Sequence, residues 1–202
     1  MTVPRTLRGA WRRESITVGD GEPSEPQQVR YLQAAGVYAD VRVSKEDDEH
    51  LCFAGTSTWT DEWAKWGHDL GLAAWAGTDE GALEWIDGGV IETGSFDGPD
   101  GPIPYVEVWQ RLPSESDAVL ALRAVGGHAL LVRVGDHSLV LADDRPAGGG
   151  FAARYDVLTG GAWTPEFSLG DAGPLPTVLD GHPAVGDELE IAGRRWLVEE
   201  AE

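Results

Sequence analysis

The sequence predicts an all-β fold built around a closed antiparallel barrel, on three observations. Short segments alternate an aliphatic side chain with an aromatic or charged one, which is the period of a strand with two different faces. Glycine (27 residues) and proline (12) fall in short clusters that punctuate the chain as turns rather than forming one linker. No long segment keeps a helical apolar period. With 42% hydrophobic residues and nine Trp in 202, the chain can bury a core.

The first strand is predicted over 11–18, where apolar and polar residues alternate. Residues 19–27 carry two prolines and three acids and read as a solvated loop. Residues 29–34 and 37–43 form a hairpin around Ala35-Gly36. The run 44–50 (Ser-Lys-Glu-Asp-Asp-Glu-His) is a charged loop without the glycine and spaced acids of a calcium site. In 60–68, Trp59, Trp63 and Trp66 share one helix face, which predicts at most two helical turns before Gly67. Strands follow at 72–76, 83–87, 90–95 and 104–112, with Gly88-Gly89 and the Gly/Pro/Asp run 97–102 as hairpin turns. These seven strands suit a closed barrel better than any α/β arrangement.

Leu112-Pro113-Ser114 marks a boundary, which divides the chain into 1–113 and 114–202. Beyond it the texture turns aliphatic. Strands are predicted at 118–125, 129–134, 138–142, 151–158 and 162–169, a turn-rich stretch over 170–183, and a closing hairpin of 186–191 with 194–199. That is enough chain for a second small barrel or a lobe sharing the first core.

The formal charge is −20, with 20 acids against 9 bases up to Pro113 and 15 against 6 after it. Both halves repel phosphate backbones and anionic lipid, so neither nucleic acid nor a membrane surface is an expected partner. No apolar run reaches the length of a membrane span, and residues 1–11 lack the apolar core of a signal peptide. The single cysteine, Cys52, lies between Leu51 and Phe53 and reads as a buried, inert thiol in a reducing, cytoplasmic protein.

Phe53-Ala54-Gly55-Thr56, Ile91-Glu92-Thr93-Gly94 and Glu107-Val108-Trp109-Gln110 resemble segments of the Hri family. So do the opening 11–16, the pair 31–33 and 38–42, and the ending from Val185 to Trp196. The family includes a fungal partner of a casein-kinase-I homologue and bacterial relatives of unassigned activity. The resemblance implies two consecutive lipocalin- or calycin-like antiparallel β-barrels. It supplies no catalytic residue, and the kinase partnership belongs to one lineage.

The candidate site comes from alternation. Tyr38, Asp40 and Arg42 share one strand face, and Tyr105, Glu107 and Trp109 share another; Glu92 and Trp85 fall on the strands between. A face meant for water would rarely carry so much Tyr and Trp, so these eight residues are expected to line a cavity, with Arg12 or Arg13 and Gln33 nearby. Arg42 is expected as an anion anchor, Tyr38 and Tyr105 as hydrogen-bond donors, and Trp109 and Trp85 as stacking walls. The competing reading is a structural ion-pair network.

The Trp59, Trp63, Trp66 and Trp75 cluster reads as a plug packed on the barrel mouth. His68-Asp69 resembles a catalytic dyad but has no nucleophile motif beside it. His50, His128, His137 and His182 lack metal-ligand spacing. No metal, cofactor or catalytic residue is therefore assigned.

The expected function is cytosolic binding of a small, partly apolar or anionic ligand by a monomer or homodimer. The alternatives are a cofactor-independent isomerase or cyclase using Glu107 or Asp40, and a protein-interaction platform.

Overall fold

The computed structural model describes residues 6–73, 79–172, 183–191 and 193–202. The architecture is all-β. Eight strands, β1 (Gly9–Val18), β2 (Gln27–Gln33), β3 (Val37–Ser44), β4 (His50–Trp59), β5 (Trp63–Gly71), β6 (Asp79–Ile86), β7 (Gly89–Gly98) and β8 (Gly101–Arg111), pair antiparallel in chain order. β8 then returns to β1, Trp11 facing Arg111 and Val18 facing Tyr105, and closes the barrel.

Seven further strands form a second sheet: β9 (Val119–Ala124), β10 (Ala129–Val134), β11 (His137–Asp143), β12 (Phe151–Thr159), β13 (Ala162–Leu169), β14 (Glu188–Ile191) and β15 (Arg194–Ala201). Their order is β13-β12-β11-β10-β9-β15-β14, so among the described residues the two edge strands are not paired to each other. A short 3-10 turn, Arg145–Ala147, is the one helical element described. No helix among the described residues is long and apolar enough to cross a membrane.

The helix expected over 60–68 is instead a hairpin. Trp59 ends β4 and Trp63 begins β5, joined by a turn in which the Thr60 amide donates to the Trp63 carbonyl at 2.7 Å. Burial over Trp63-Ala64-Lys65-Trp66 alternates out, in, out, in. Three residues apart on a strand means opposite faces, so Trp63 is exposed and Trp66 buried. β4 was missed because its second half, Gly55-Thr56-Ser57-Thr58, is small and polar. Of the strand expected at 72–76, Leu72 and Ala73 form a bend, and the remainder, with Trp75, lies outside the described residues. Most of 170–183, including His182, does so too.

The barrel wears its aliphatic residues on the outside. Leu32 of β2 and Ala34 just beyond its end, Val37, Ala39 and Val41 of β3, and Cys52 and Ala54 of β4 join Leu130, Val132, Leu139, Leu141 and Tyr155 of the second sheet in one buried cluster. This is the face that alternation marked as aliphatic on β3, and the second sheet covers it. A further tie is Glu200 of β15, whose carboxylate accepts the Ala35 and Gly36 amides at 2.6 and 2.7 Å. The opposite face of the sheet buries Leu120, Leu122, Leu131, Val140, Trp196 and Val198. Runs such as Ala129-Leu130-Leu131-Val132 are thus buried on both faces, which explains their unbroken apolar texture. The barrel interior is left to the aromatic and charged side chains.

Candidate functional site

A cavity of about 450 Å³ fills the barrel. Trp11, Tyr31, Phe53, Trp66 and Trp109 form its apolar walls, and Asp40, Arg42, Glu92, Tyr105 and Glu107 supply its polar ones. One end is closed by Leu7, held under the barrel where the Trp11 indole N–H donates to the Leu7 carbonyl at 2.7 Å. Arg111 lies 4.2 Å over the Trp11 ring and donates to the carbonyls of Thr6 and Arg8, which fixes that segment. The other end, where β6 begins and β7 ends, carries the exposed lining residues Glu80, Ser95, Phe96 and Asp97.

Seven of the eight predicted residues line this cavity: Tyr38, Asp40, Arg42, Glu92, Tyr105, Glu107 and Trp109. Trp85 does not. Its ring packs at the closed end, 6.4 Å from Trp11, and its N–H donates to the Asp61 carbonyl at 2.6 Å. It shares the inward parity of Leu83 but stands too close to the β6 terminus to reach the space. Sequence reasoning missed Tyr31, Phe53, Trp66 and Asp79, three of them because they lie on segments not read as strands or read as a helix.

The charged groups form a connected set. Arg42 holds Asp40 in a two-point bond, Nε to Oδ1 at 3.0 Å and Nη2 to Oδ2 at 3.3 Å, and its Nη1 lies 3.5 Å from Glu107. The fork expected to anchor an anion is therefore engaged by two carboxylates. Arg13, not the exposed Arg12, is the second buried cation. It donates to Glu107, to Glu25 at 2.8 and 3.2 Å and to Gln27 at 3.0 Å. Glu25 comes from the stretch read as a solvated loop. That loop folds back on β1 through paired bonds between Ile16 and Ser24.

Glu92 differs from its neighbours. It stands directly opposite Glu107 in the β7–β8 register, is 7% exposed, and has no cation within 4 Å among the described residues. Tyr105 donates to it at 2.7 Å. Burial, then the charge of Glu107, push its carboxyl up to about 8, against the opposing pull of the Tyr105 bond. At neutral pH it is held largely protonated. Burial also raises Asp40, with Arg42 opposing. Burial pushes the phenols of Tyr31, Tyr38 and Tyr105 well above their ordinary value, so all three remain neutral donors.

A hydrogen-bonded chain borders the cavity. The Tyr38 hydroxyl lies 3.1 Å from His68 Nδ1, and His68 Nε2 lies 2.8 Å from Asp79 Oδ2. The partner of His68 is thus Asp79 across β5–β6, while Asp69 pairs with Arg123 at 3.1 Å. Gln33 is buried behind the wall, bonded to the Tyr31 hydroxyl and to Ser57. Cys52 faces the outer core, where burial and then the Asp40 charge push its thiol up to about 12. Among the described residues no group of three or more metal-ligating side chains comes together.

Comparison with known proteins gives two likenesses. No curated protein matches the chain. The crystal structure of an uncharacterized protein from Saccharomyces cerevisiae, YLR301w, superposes with a TM-score of 0.77 at 15% identity, over 96% of this chain and 98% of that one. At that identity the match speaks for the fold alone. The family described as Protein HRI1 matches residues 10–200, nearly the whole of the barrel and the sheet. By that match the chain belongs to the HRI1 family.

Proposed function

We propose that the protein binds a small molecule inside its eight-stranded barrel, and that the second sheet is an aliphatic scaffold which keeps the barrel rigid. In this reading 1–113 is a lipocalin-like receptor unit and 114–202 a filled, lipocalin-like companion. The observation that carries it is the inversion of the barrel: the aliphatic core lies outside the wall, and a cavity of about 450 Å³ inside it holds the buried carboxyl of Glu92, which has no cation within 4 Å among the described residues. Barrels of this size have room for one small ligand, and a few polar groups in an aromatic wall would orient it. A network kept only for stability would pair its charges; Glu92 is left facing another acid.

The test is a fragment screen by ligand-observed NMR, run on the native protein and on Leu83→Trp, which narrows the cavity from β6. Fragments that bind the native protein and lose binding in Leu83→Trp support the reading. A screen without binders, or binders indifferent to Leu83→Trp, contradicts it.

One observation favours a second reading, a cofactor-independent isomerase or cyclase on the same cavity. The chain Tyr38–His68–Asp79 has the order of an acid–base relay, and Glu92, its carboxyl raised to about 8, lines the same cavity. If so, His68→Asn retains binding of a screened compound and stops its turnover; if compounds are bound and never converted, this reading falls.

A further inference from the structure

The charges in the cavity wall, and the one unmatched donor there among the described residues, narrow the chemistry of a ligand. Of the lining residues, Asp40, Asp79, Glu80, Glu92, Asp97 and Glu107 are acids and Arg42 alone is basic. Arg42 is held by Asp40 and Glu107, and Arg13 behind the wall by Glu107 and Glu25. An incoming anion would have to displace these pairs and enter past Glu80 and Asp97. A cation meets the opposite field, in a molecule whose formal charge is −20.

A second, independent feature points to the ligand's other end. Trp109 lines the cavity, is 5% exposed, and its buried indole N–H has no acceptor among the described residues. A buried donor left unmatched is costly, and native interiors rarely keep one without a purpose. Trp109 and Glu92 are diagonal neighbours on the inner face of the β7–β8 pair, two register positions apart, Val90 facing Trp109 and Glu92 facing Glu107. That places the donor and the carboxyl about 7–8 Å apart at the backbone. Between and around them stand Tyr31 and Trp66, whose rings pack edge to face at 6.5 Å.

We propose that the cavity takes a small organic cation: an ammonium group set against Glu92, a flat apolar body against Tyr31, Trp66 and Trp109, and a hydrogen-bond acceptor received by the Trp109 indole N–H. The rings add cation–π attraction to the charge pairing. This rests on the receptor reading above and gives it a substrate class.

The groups that bear on Glu92 are Glu107 and Tyr105 from β8, Asp79 from β6, Asp40 and Arg42 from β3 and Tyr31 from β2. Only Arg42 among them is cationic, and it is paired. An arriving ammonium therefore stabilises the ionised Glu92, and binding at neutral pH releases a proton. With the Glu92 carboxyl raised to about 8 by burial and Glu107, affinity is expected to rise about tenfold between pH 7 and pH 9.

The experiment is calorimetric titration with four matched probes: tyramine, phenethylamine (no acceptor), tyrosol (no charge) and hydroxyphenylacetate (an anion). The expected order is tyramine tightest, phenethylamine several-fold weaker, tyrosol at least about tenfold weaker, and hydroxyphenylacetate undetected. Glu92→Gln, which mimics the protonated carboxyl and so keeps the fold, should erase the tyramine–tyrosol difference and the pH dependence. Trp109→Phe should erase the tyramine–phenethylamine difference. Tyrosol or hydroxyphenylacetate binding as tightly as tyramine overturns the cation assignment while leaving the receptor reading intact. Failure of all four to bind overturns it too, and the fragment screen then decides the receptor reading on its own.

Discussion

Glu92 is the residue at which stability and function separate. Its carboxyl, with an ordinary value of 4.5, is raised to about 8 in the folded protein by burial and by Glu107. The folded state therefore holds a proton that the unfolded state gives up. The contribution of this one group to stability is greatest below 4.5, falls as pH rises toward 8, and is level above that. Asp40, also raised, adds a contribution of the same sign. Glu92→Gln is expected to stabilise the protein by about 2–4 kcal/mol near pH 9 and by less than about 1 kcal/mol near pH 5. Urea denaturation at the two pH values checks this, and a gain of equal size at both would contradict it.

Arg13 is the opposite case. Removing the charge in Arg13→Met takes the ion pair from Glu25 and leaves Glu107 with only Arg42 at 3.5 Å, at a site where the Arg13 side chain is 1% exposed, and should cost about 3–5 kcal/mol. The adjacent Arg12, half exposed and paired with the half-exposed Glu14, should change stability by no more than about 0.5 kcal/mol when replaced by Met. The two melting curves decide between these residues. Alternation showed which face each of these side chains takes, because side-chain parity is local. It did not show that Arg42 is bonded to Asp40 and Glu107, or that the loop after β1 folds back to bring Glu25 to Arg13, because such partners depend on register, closure and loop path.

The β4–β5 hairpin carries a close backbone approach. At the bulge between Ala54 and Gly55 the backbones draw so close that a Cβ on Gly55 would overlap the Gly67 carbonyl oxygen and press on the Asp69 amide. Gly55→Ala should therefore cost about 2–3 kcal/mol or more, since neither contact is a flexible side-chain end. Gly67→Ala, whose nearest contact is Thr56 Oγ1 at 3.3 Å, should cost less than about 1 kcal/mol. Comparable losses in the two variants, read from chemical denaturation, would refute the close approach as the cause. This hairpin was the least legible part of the sequence. Three Trp at helical spacing imitate an amphipathic face, and only the in–out order of Trp63, Ala64, Lys65 and Trp66 betrays the strand. Strands with a clean two-residue alternation and Gly-rich turns, such as β7 and β8 around 98–101, were readable within a few residues.

The whole molecule is organised around a core that belongs to neither sheet alone. Leu32, Val37, Ala39 and Val41 on the outside of the barrel are buried only because Leu130, Val132, Leu139 and Leu141 cover them. The boundary near Pro113 thus separates two sheets in sequence that share their largest cluster in space. Leu130→Ala should cost about 2–5 kcal/mol and lower a single transition, with Trp fluorescence and far-ultraviolet circular dichroism melting together. A chain ending at Pro113 exposes that aliphatic stripe and should be unfolded or aggregated; a stable monomeric barrel from 1–113 would contradict the shared core. Composition indicated an all-β chain and a possible common core, but not which face of the barrel would be dry. That depends on the second sheet, and no local pattern in β3 distinguishes packing against a neighbour from packing into the barrel.

The most direct measurement of the central claim, that the barrel interior is a ligand site, is native mass spectrometry of the protein purified from its own cells, set against its denatured mass. A reproducible excess mass is expected in the native spectrum, absent after denaturation and lost or much reduced in Leu83→Trp. A native mass equal to that of the bare chain, together with no stability gain in Glu92→Gln near pH 9, would contradict the account and leave the polar interior as a structural network.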